Sequence, residues 1–447
     1  MCEGNTISLI EKINGLSLIW KEAEYNFPFW CNLIDEINWD EEYKKALDRV
    51  INTKNDVEYY LELCRFITLL KDDHTRINYS QKIYDLTGFF PVSFDEVDGK
   101  IYLLAKSTNC EIPLLSELIA INDIPINEYL DKYIFPYCWH EIKSHAVYQM
   151  QMILPLVEYK KEVKFTTSNG EFILKATNQE QTWENAWYNM YLKEKRETLF
   201  ASDNGTLHIS KTHDDIAIIT IPTFTKECLV EEFYSILPEL SKCKGYVIDL
   251  EWNNGGNSNY ADCISQAFLE GPFLTSSDKS LMHISRYKAE LGFVDLFSME
   301  DGEEKQLLLN IANKKVFENQ SNIKTFIEKC PLTLKGPLAI TMNRKTVSTG
   351  EHFLVTMDYN NRAILVGENS YGATGNPLFV NLANDISCRI TTAWSTYPDG
   401  KEYVNIGVKP HVEIKITLED IKNGRAKALE RALEIVRSKI NEKCNTN

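Results

Sequence analysis

A serine of this chain lies where an apolar run ends and an amphipathic helix is predicted to begin. The run is Leu338–Met342, and Ser348 lies in the following segment 346–351, which reads TVSTGE. A hydroxyl at such a junction lies beside unpaired backbone N–H groups and the positive end of a helix dipole, which favour negative charge. This suits a nucleophile whose attack creates an oxyanion. The alternative is an ordinary helix cap, because Ser348 and Glu351 also have capping-box spacing.

Paired glycines form a second segment suited to chemistry. Gly255 and Gly256 follow the apolar run 246–250, and adjacent glycines let the backbone turn sharply and present bare N–H groups to a ligand. In open α/β sheets, ligands bind beyond the carboxyl ends of the strands. If the two segments meet there, the N–H groups of Gly255, Gly256 and Thr349 are candidates for an oxyanion hole next to Ser348. The alternative is a tight strand-to-helix turn.

The composition excludes several classes of function. The chain has 447 residues, with 64 acidic and 48 basic side chains and a net charge of −16. Such a surface disfavours nucleic acid and anionic membranes as partners, and no basic tract reverses this. The 11 cysteines show no paired CxxC spacing, which favours buried reduced thiols over disulfides or a zinc site. We therefore expect no metal and no cofactor.

The same sequence predicts a cytoplasmic protein. It contains no apolar stretch long enough for a membrane span, and its first residues lack the basic and apolar parts of a signal peptide. Export remains the alternative if a signal once preceded the given sequence, with Cys2 then a candidate for the residue after a lipoprotein cleavage site.

The chain is predicted to divide into three parts. Residues 1–85 form a helical region, because apolar residues recur at helical spacing after a start signal at Asn55. Residues 86–190 form a small β-rich module, in which Asp98-Gly99 is a hairpin signal. Residues 191–447 form the α/β core.

In this core, apolar runs alternate with helical patterns. The predicted strands are 216–221, 246–250, 338–342 and 363–366, and the predicted helices are 229–240, 260–269 and 426–440, the last opening after Thr417 and Asp420. Short strands that are apolar on both faces predict a largely parallel sheet covered on both sides. A polar insertion near 276–330 interrupts the alternation and is interpreted as a lid or flap.

Three of these segments together resemble a known family. Residues 249–256 (DLEWNNGG) resemble the Asp-Leu-Arg-x-Asn-x-Gly-Gly signature of the tail-specific, or carboxy-terminal processing, serine peptidases. Segment 346–351 resembles the family's Thr-x-Ser-x-x-Glu nucleophile motif. Residues 72–75 (DDHT) resemble the Asp-x-His-Thr of members related to the tricorn core protease. Weaker matches at 366–372, 398–400 and 407–410 follow in the family's order.

The resemblance implies a fold and a catalytic pair. The core would be a crotonase-like α/β fold, and the β-rich module around Leu118–Pro125 would be PDZ-like. Ser348 would be the nucleophile. One branch of the family uses a lysine as base, but Ala373 stands at that place here, whereas His74 matches the histidine of the other branch. An imidazole is also the better base near neutral pH.

His352 is a competing candidate for the base, and two carboxylates are candidates for the third catalytic group. His352 lies four residues after Ser348, but a side chain one turn along the helix is expected to point along its surface. Relatives orient the histidine with a glutamate, acting through a hydroxyl, where this chain has Val404. Glu402 and Asp73 are the remaining candidates for orienting His74. Glu251 in place of the signature arginine is a further departure.

Two functions follow from these observations. The first is a serine-type peptidase that cleaves peptides or unfolded protein C-termini through an acyl-enzyme, with Ser348 as nucleophile and His74 as base. The second is a non-catalytic ligand- or peptide-binding protein on the same scaffold, as in the related interphotoreceptor retinoid-binding protein. The expected partner is a peptide or an unfolded protein.

Overall fold

The computed structural model describes residues 6–187, 190–283, 285–292, 294–320, 322–324, 330 and 332–446. The N-terminal elements are mainly helices: α1 (Leu9–Asn26), α2 (Trp30–Leu33), α3 (Trp39–Ile51), α4 (Asp56–Thr68), β1 (Arg76–Asn78) and α5 (Gln81–Thr87). Shorter strands and helices follow: β2 (Val92–Val97), β3 (Lys100–Ser107), β4 (Leu118–Ile121), β5 (Ile124–Pro125), α6 (Ile126–Tyr129), α7 (Lys143–Ala146), α8 (Met150–Val157), β6 (Glu162–Thr167), β7 (Gly170–Lys175) and β8 (Trp183–Asn185).

The rest of the chain alternates strands with longer helices. Its first half contains β9 (Arg196–Ala201), β10 (His208–Thr212), β11 (Ile216–Thr220), α9 (Cys228–Leu240), β12 (Gly245–Asp249), α10 (Ser258–Gln266), β13 (Phe273–Leu274), β14 (Ser277–Leu281), α11 (Ser285–Glu290), α12 (Glu303–Ala312), β15 (Phe317–Asn319) and β16 (Ile323–Lys324). Its second half contains β17 (Leu338–Met342), α13 (Thr349–Tyr359), β18 (Ile364–Gly367), β19 (Leu378–Asn381), β20 (Ser387–Ile390), β21 (Trp394–Thr396), β22 (Val412–Glu413), α14 (Leu418–Lys422) and α15 (Lys427–Thr446).

Local sequence signals account for the predicted helix and hairpin near the N-terminus. The Asn55 side chain accepts a hydrogen bond from Glu58 N at 2.9 Å, which caps α4 as its sequence indicated. Asp98 and Gly99 have φ angles of 53° and 78°, and this pair of left-handed residues is what a two-residue hairpin between β2 and β3 requires. Both predictions are confirmed.

A seven-stranded sheet, ordered β22-β18-β17-β12-β11-β10-β9, forms the centre of the α/β part. The five strands from β22 to β11 are parallel, and β10 and β9 are antiparallel. Thr220, Asp249 and Thr341 are aligned across three neighbouring strands near their carboxyl ends. The loops that follow β12 and β17 therefore leave the sheet side by side.

Helices cover both faces of this sheet, as the doubly apolar strands predicted. Ile219, Ile248 and Ile340 pack with residues of α9, α10 and α13. Val247 and Ala339 point to the opposite face, where they pack with residues of α15. A largely parallel α/β sheet is therefore confirmed.

One helix boundary differs from the prediction. Thr417 and Asp420 form a capping box, but the helix they cap is the short α14, and the final helix α15 begins separately at Lys427. Asn423 caps the carboxyl end of α14, and Gly424, with a φ of 62°, follows it before α15 begins. The helix pattern over this region is thus divided between two helices.

Strand pairs link segments from different predicted parts of the chain. Strand β1 pairs antiparallel with β20, so the N-terminal region completes a three-stranded sheet with the C-terminal part. Within the insertion 276–330, of which some residues lie outside the described ranges, β14 pairs with β21 of the later chain. The division itself remains a prediction.

Two further facts bear on the chain's chemistry. The nine cysteines whose side chains the structure describes, from Cys31 to Cys388, are free thiols. A lipid bilayer could not be crossed by any helix of the described chain, since none combines the necessary length with the necessary apolar character.

Arg362 hydrogen-bonds three backbone carbonyls on either side of the insertion 276–330. Its guanidinium donates to the carbonyls of Phe268 and Leu334 at 2.7 Å and of Gly336 at 2.9 Å. We expect Arg362→Lys to lower the free energy of unfolding by about 2 kcal/mol, because an ammonium cannot reach all three carbonyls. Urea unfolding followed by circular dichroism measures this. Arg431→Lys, at an exposed helix position, is the control and should change it by less than about 0.5 kcal/mol; equal effects would contradict the anchoring role.

Candidate active site

Ser348 occupies a strained backbone position at the amino end of α13. Its φ and ψ are 57° and −117°, and it is the N-cap of the helix, within a capping box with Glu351. A non-glycine residue at positive φ costs on the order of 1–3 kcal/mol and persists only where its surroundings fix it. Here Thr346 Oγ1 donates to Leu250 O at 2.8 Å, and Val347 N donates to Asn253 O at 3.0 Å. The turn before Ser348 is therefore tied to the loop after β12.

The paired glycines lie directly against this serine. A Cβ atom on Gly255, whose φ is 84°, would lie 2.8 Å from Ser348 Cβ, so that only glycine fits without displacement. The Gly255 N–H donates to Asn253 Oδ1 at 3.0 Å. Within the described residues, the N–H groups of Gly256 and Thr349 have no acceptor. These two groups are therefore available to a ligand oxygen.

His74 is buried in a loop between α4 and β1, with 4% of its surface exposed. Its Nδ1 lies 3.4 Å from Thr391 Oγ1, and that hydroxyl donates to Asp72 Oδ2 at 2.6 Å. Thr75 Oγ1 donates to the same carboxylate oxygen at 2.6 Å and accepts from Thr391 N at 2.9 Å. The carboxylate of Asp72 thus holds both the histidine loop and the start of the segment after β20.

This arrangement favours one tautomer of His74. Because the single proton of the Thr391 hydroxyl is directed to Asp72, the hydroxyl faces His74 as an acceptor. Nδ1 then carries the ring proton, and Nε2 is left as an unprotonated acceptor. An imidazole in this state can take a proton through Nε2.

Burial lowers the pKa of His74 well below its ordinary value, and the nearby Arg389 and Arg76 lower it further. Both effects disfavour the charged ring. These two arginines face each other across the β1–β20 pair. The imidazole is therefore held neutral at neutral pH.

One segment lies between Ser348 and His74. Ser348 N donates to Ala373 O at 3.0 Å. Two residues further on, a Cβ on Gly375 would lie 2.3 Å from Thr391 Cγ2. The nucleophile candidate and the hydroxyl that contacts His74 therefore flank the same three-residue stretch. Ala373 lies where the resemblance would place the lysine of the lysine-dependent branch, and its carbonyl accepts the hydrogen bond from Ser348 N.

The two residues predicted to orient His74 have other contacts. Asp73 Oδ1 accepts from Gln149 Nε2 at 2.6 Å, and Glu402 Oε2 accepts from Trp394 Nε1 at 2.8 Å. Neither carboxylate contacts the His74 ring; the hydrogen-bond chain that reaches it comes from Asp72 and Thr391. The aspartate two residues before the histidine was visible in the DDHT motif, whereas nothing in the sequence singled out Thr391.

Glu351 has a buried carboxyl that lies beside Ser348. Burial raises its pKa to about 7. The opposing hydrogen bonds come from Ser370 Oγ at 2.5 Å and from the N–H groups of Gly372 and Ser348 at 2.6 and 3.1 Å. Glu351 therefore links the start of α13 to the segment that carries Ala373.

His352, Ser276 and Asp262 form a further hydrogen-bonded cluster, whose contacts the sequence did not indicate. This cluster borders a cavity beside Ser348. His352 Nδ1 lies 2.7 Å from Ser276 Oγ, and His352 Nε2 lies 2.8 Å from Asp262 Oδ1. Ser276 and His352 line a cavity of about 340 Å³ together with Ser348. Both ring nitrogens of His352 are therefore engaged by Ser276 and Asp262, and neither is hydrogen-bonded to Ser348.

Only one group of three metal-type ligands occurs among the described residues, formed by Glu194, His213 and Asp214. Arg437 donates to Glu194 Oε1 and to Asp214 Oδ2, each at 2.8 Å. Since a guanidinium already neutralises both carboxylates, the group is an ion-pair network on the surface.

We expect Gly255→Ala to abolish the reactivity of Ser348 and to destabilise the fold by about 2–4 kcal/mol, because the new methyl overlaps the serine and the left-handed φ adds strain. Thermal unfolding and labelling by an active-site probe measure the two effects. Gly271→Ala is the matched control, because its φ is 74° and a Cβ there meets open space. If both variants behave alike, contact with Ser348 is not the cause.

Part of the chain matches a known family of peptidases. Residues 215–414 match the model of peptidase family S41. A carboxy-terminal-processing protease of Bartonella bacilliformis is 22% identical over 221 residues, which cover 48% of this chain and 42% of that protein. An uncharacterized protein of Chlamydia muridarum is 30% identical over 109 residues, or 24% of this chain and 18% of that protein. The chain thus spans less than half the length of these relatives.

Solved structures share the fold over nearly the whole chain. Mature CPAF in complex with lactacystin has a TM-score of 0.72 and 17% identity, and the alignment covers 97% of this chain and 99% of that one. A putative peptidase from Parabacteroides merdae has a TM-score of 0.54 and 16% identity, with 96% of each chain covered. The resemblance that the sequence motifs indicated is therefore confirmed: residues 215–414 of this chain are similar to peptidase family S41.

Proposed function

We propose that this chain is a serine-type peptidase with Ser348 as nucleophile and His74 as general base. The observation that carries the proposal is the contact between Gly255 and Ser348, which brings a strained hydroxyl and exposed amides together at the carboxyl ends of β12 and β17. Convergence of a nucleophile with backbone donors is what acyl transfer requires. The family match supports a peptidase.

The chemistry follows from the positions of these groups. Ser348 Oγ attacks the scissile carbonyl carbon while His74 Nε2 takes the hydroxyl proton. The resulting oxyanion accepts from the N–H groups of Gly256 and Thr349. When the C–N bond breaks, His74 returns the proton to the leaving amine, and a water molecule activated by the same nitrogen then hydrolyses the acyl-enzyme. Because the Ala373–Gly375 segment lies between Ser348 and His74, this segment would have to move for His74 Nε2 to reach the Ser348 hydroxyl.

The finer assignments belong to the same proposal. The seven-stranded core is crotonase-like, and the module at 86–190 is PDZ-like, with its small sheets β2-β3-β8 and β5-β4-β6-β7. Substrates are peptides or unfolded C-termini. An exposed strand edge in the module would take such a terminus by strand addition.

A fluorophosphonate probe tests the nucleophile. We expect the wild-type protein to be labelled at Ser348, because the probe's phosphorus takes the place of the carbonyl carbon and fluoride leaves. Ser348→Ala should abolish labelling, and His74→Gln should slow it by at least 100-fold. Peptide mapping by mass spectrometry locates the label. Ser241→Ala, at an exposed helix end, is the control and should label normally. A folded wild-type protein that stays unlabelled would favour the non-catalytic binding function.

The pH dependence of labelling tests the base. Because the folded-state pKa of His74 is lowered from 6.5, the ring stays deprotonated as the pH falls through 6.5, and the labelling rate should decline only at lower pH. Removing a cation in Arg389→Gln raises the pKa of His74 and should shift that inflection upwards. An inflection due to Glu351 would not follow Arg389. Arg431→Gln should leave the profile in place, and a profile in which no inflection shifts with Arg389→Gln would contradict the assignment.

A further inference from the structure

The cavity beside Ser348 is unusually polar for a substrate pocket. Its volume is about 340 Å³, and one wall is formed by Gly256, Ser348 and Thr349. Substrate pockets are usually lined mainly by apolar side chains, with only a few polar groups. The opposite side of this cavity consists instead of hydroxyl, amide and carboxyl groups, among them those of Asn259, Ser276, Asp278, Gln320 and Ser395.

Asp278 contributes a negative charge to this wall. It lies on β14, directly opposite Ser395 of β21, and its Oδ1 accepts from Ser395 Oγ at 2.5 Å. In the described part of the chain, no lysine or arginine forms an ion pair with it. The adjacent Lys279 points to the other face of the strand, with its ammonium 3.7 Å from the centre of the Trp394 ring. Among the described residues, the carboxylate therefore has no cationic partner.

Ser276 presents a second acceptor to the same cavity. Since Asp262 accepts a hydrogen bond from His352 Nε2, a neutral His352 has Nδ1 as an acceptor, to which Ser276 Oγ donates. The hydroxyl proton is then directed away from the cavity, and the oxygen lone pairs remain for a ligand. The buried His352 and Asp262 fix this orientation.

We infer that this cavity binds a cationic side chain, lysine or arginine, of the substrate residue that flanks the cut, with Asp278 as the specificity-determining residue. This inference rests on the proposed function. An ammonium or guanidinium offers several donors and a positive charge, which match the acceptors of Asp278 and Ser276. The net charge of −16 also favours the approach of cationic peptides. The insertion, through β14, thereby supplies a wall of the substrate site.

Matched fluorogenic peptides test the preference. They differ only in the residue flanking the cut, which is lysine, arginine or one of their uncharged analogues, norleucine and citrulline. With the wild-type chain, we expect kcat/KM to be at least tenfold higher for each cationic residue than for its analogue. Asp278→Asn should remove this ratio by lowering kcat/KM for the lysine and arginine peptides to the level of their uncharged analogues. Asp399→Asn, which removes one exposed charge outside the cavity, should keep the ratio.

A binding measurement makes the inference testable without turnover. The fluorescent cation p-aminobenzamidine should bind the Ser348→Ala protein, and the Ser348→Ala, Asp278→Asn double variant should bind it at least tenfold more weakly. Equal cleavage of charged and uncharged peptides by the wild type, or cation binding that ignores Asp278, would overturn the inference and leave the peptidase proposal intact. If the wild-type protein neither cleaves peptides nor reacts with the fluorophosphonate probe but still binds the cation in an Asp278-dependent way, the peptidase proposal is overturned and the cation site stands.

Discussion

A buried carboxylate is stable only when hydrogen bonds replace its lost water, and the candidate site depends on how Asp72 meets this requirement. Its hydroxyl partners are Thr75, three residues away, and Thr391, 319 positions away. The N-terminal loop is thereby tied to the strand region that follows the nucleophile. His74 lies between these partners, so the bonds that satisfy the carboxylate also determine where the imidazole lies and which nitrogen carries its proton.

The second constraint is the parallel register of the central sheet. Because β12 and β17 are aligned neighbours, the loops that follow them leave at the same edge, and the glycine pair meets the serine there. The strain at Ser348 is balanced by hydrogen bonds between the two loops. The capping box and a reactive role of the half-buried Ser348 hydroxyl are compatible, since the cap bond shown by the structure uses the backbone N–H of Ser348 and the carboxyl of Glu351. The capping box therefore does not exclude the proposed role of the Ser348 hydroxyl.

Local patterns predicted most of the elements that position the site. Asn55 capped α4, Asp98-Gly99 formed the hairpin, and the apolar runs became the parallel strands, because each of these signals acts over a few neighbouring residues. The contact of Gly255 with Ser348 was also predictable, because the sheet type dictates it. The hydrogen-bond partners of His74 and His352 could not be predicted from the sequence. A hydrogen bond between side chains far apart in sequence, such as Asp262 with His352, has no periodicity, and Glu402 is near the expected position in sequence but is turned towards Trp394.

The pairing of β1 with β20 also determines when this site can form during synthesis. A ribosome delivers the N-terminal residues first, and domains begin to fold as they emerge. The histidine loop nevertheless acquires its hydroxyl partner only after Thr391 has left the exit tunnel. A growing chain therefore lacks the hydrogen bonds that fix this imidazole until most of its length has been translated, so a site that contains His74 forms only late in synthesis.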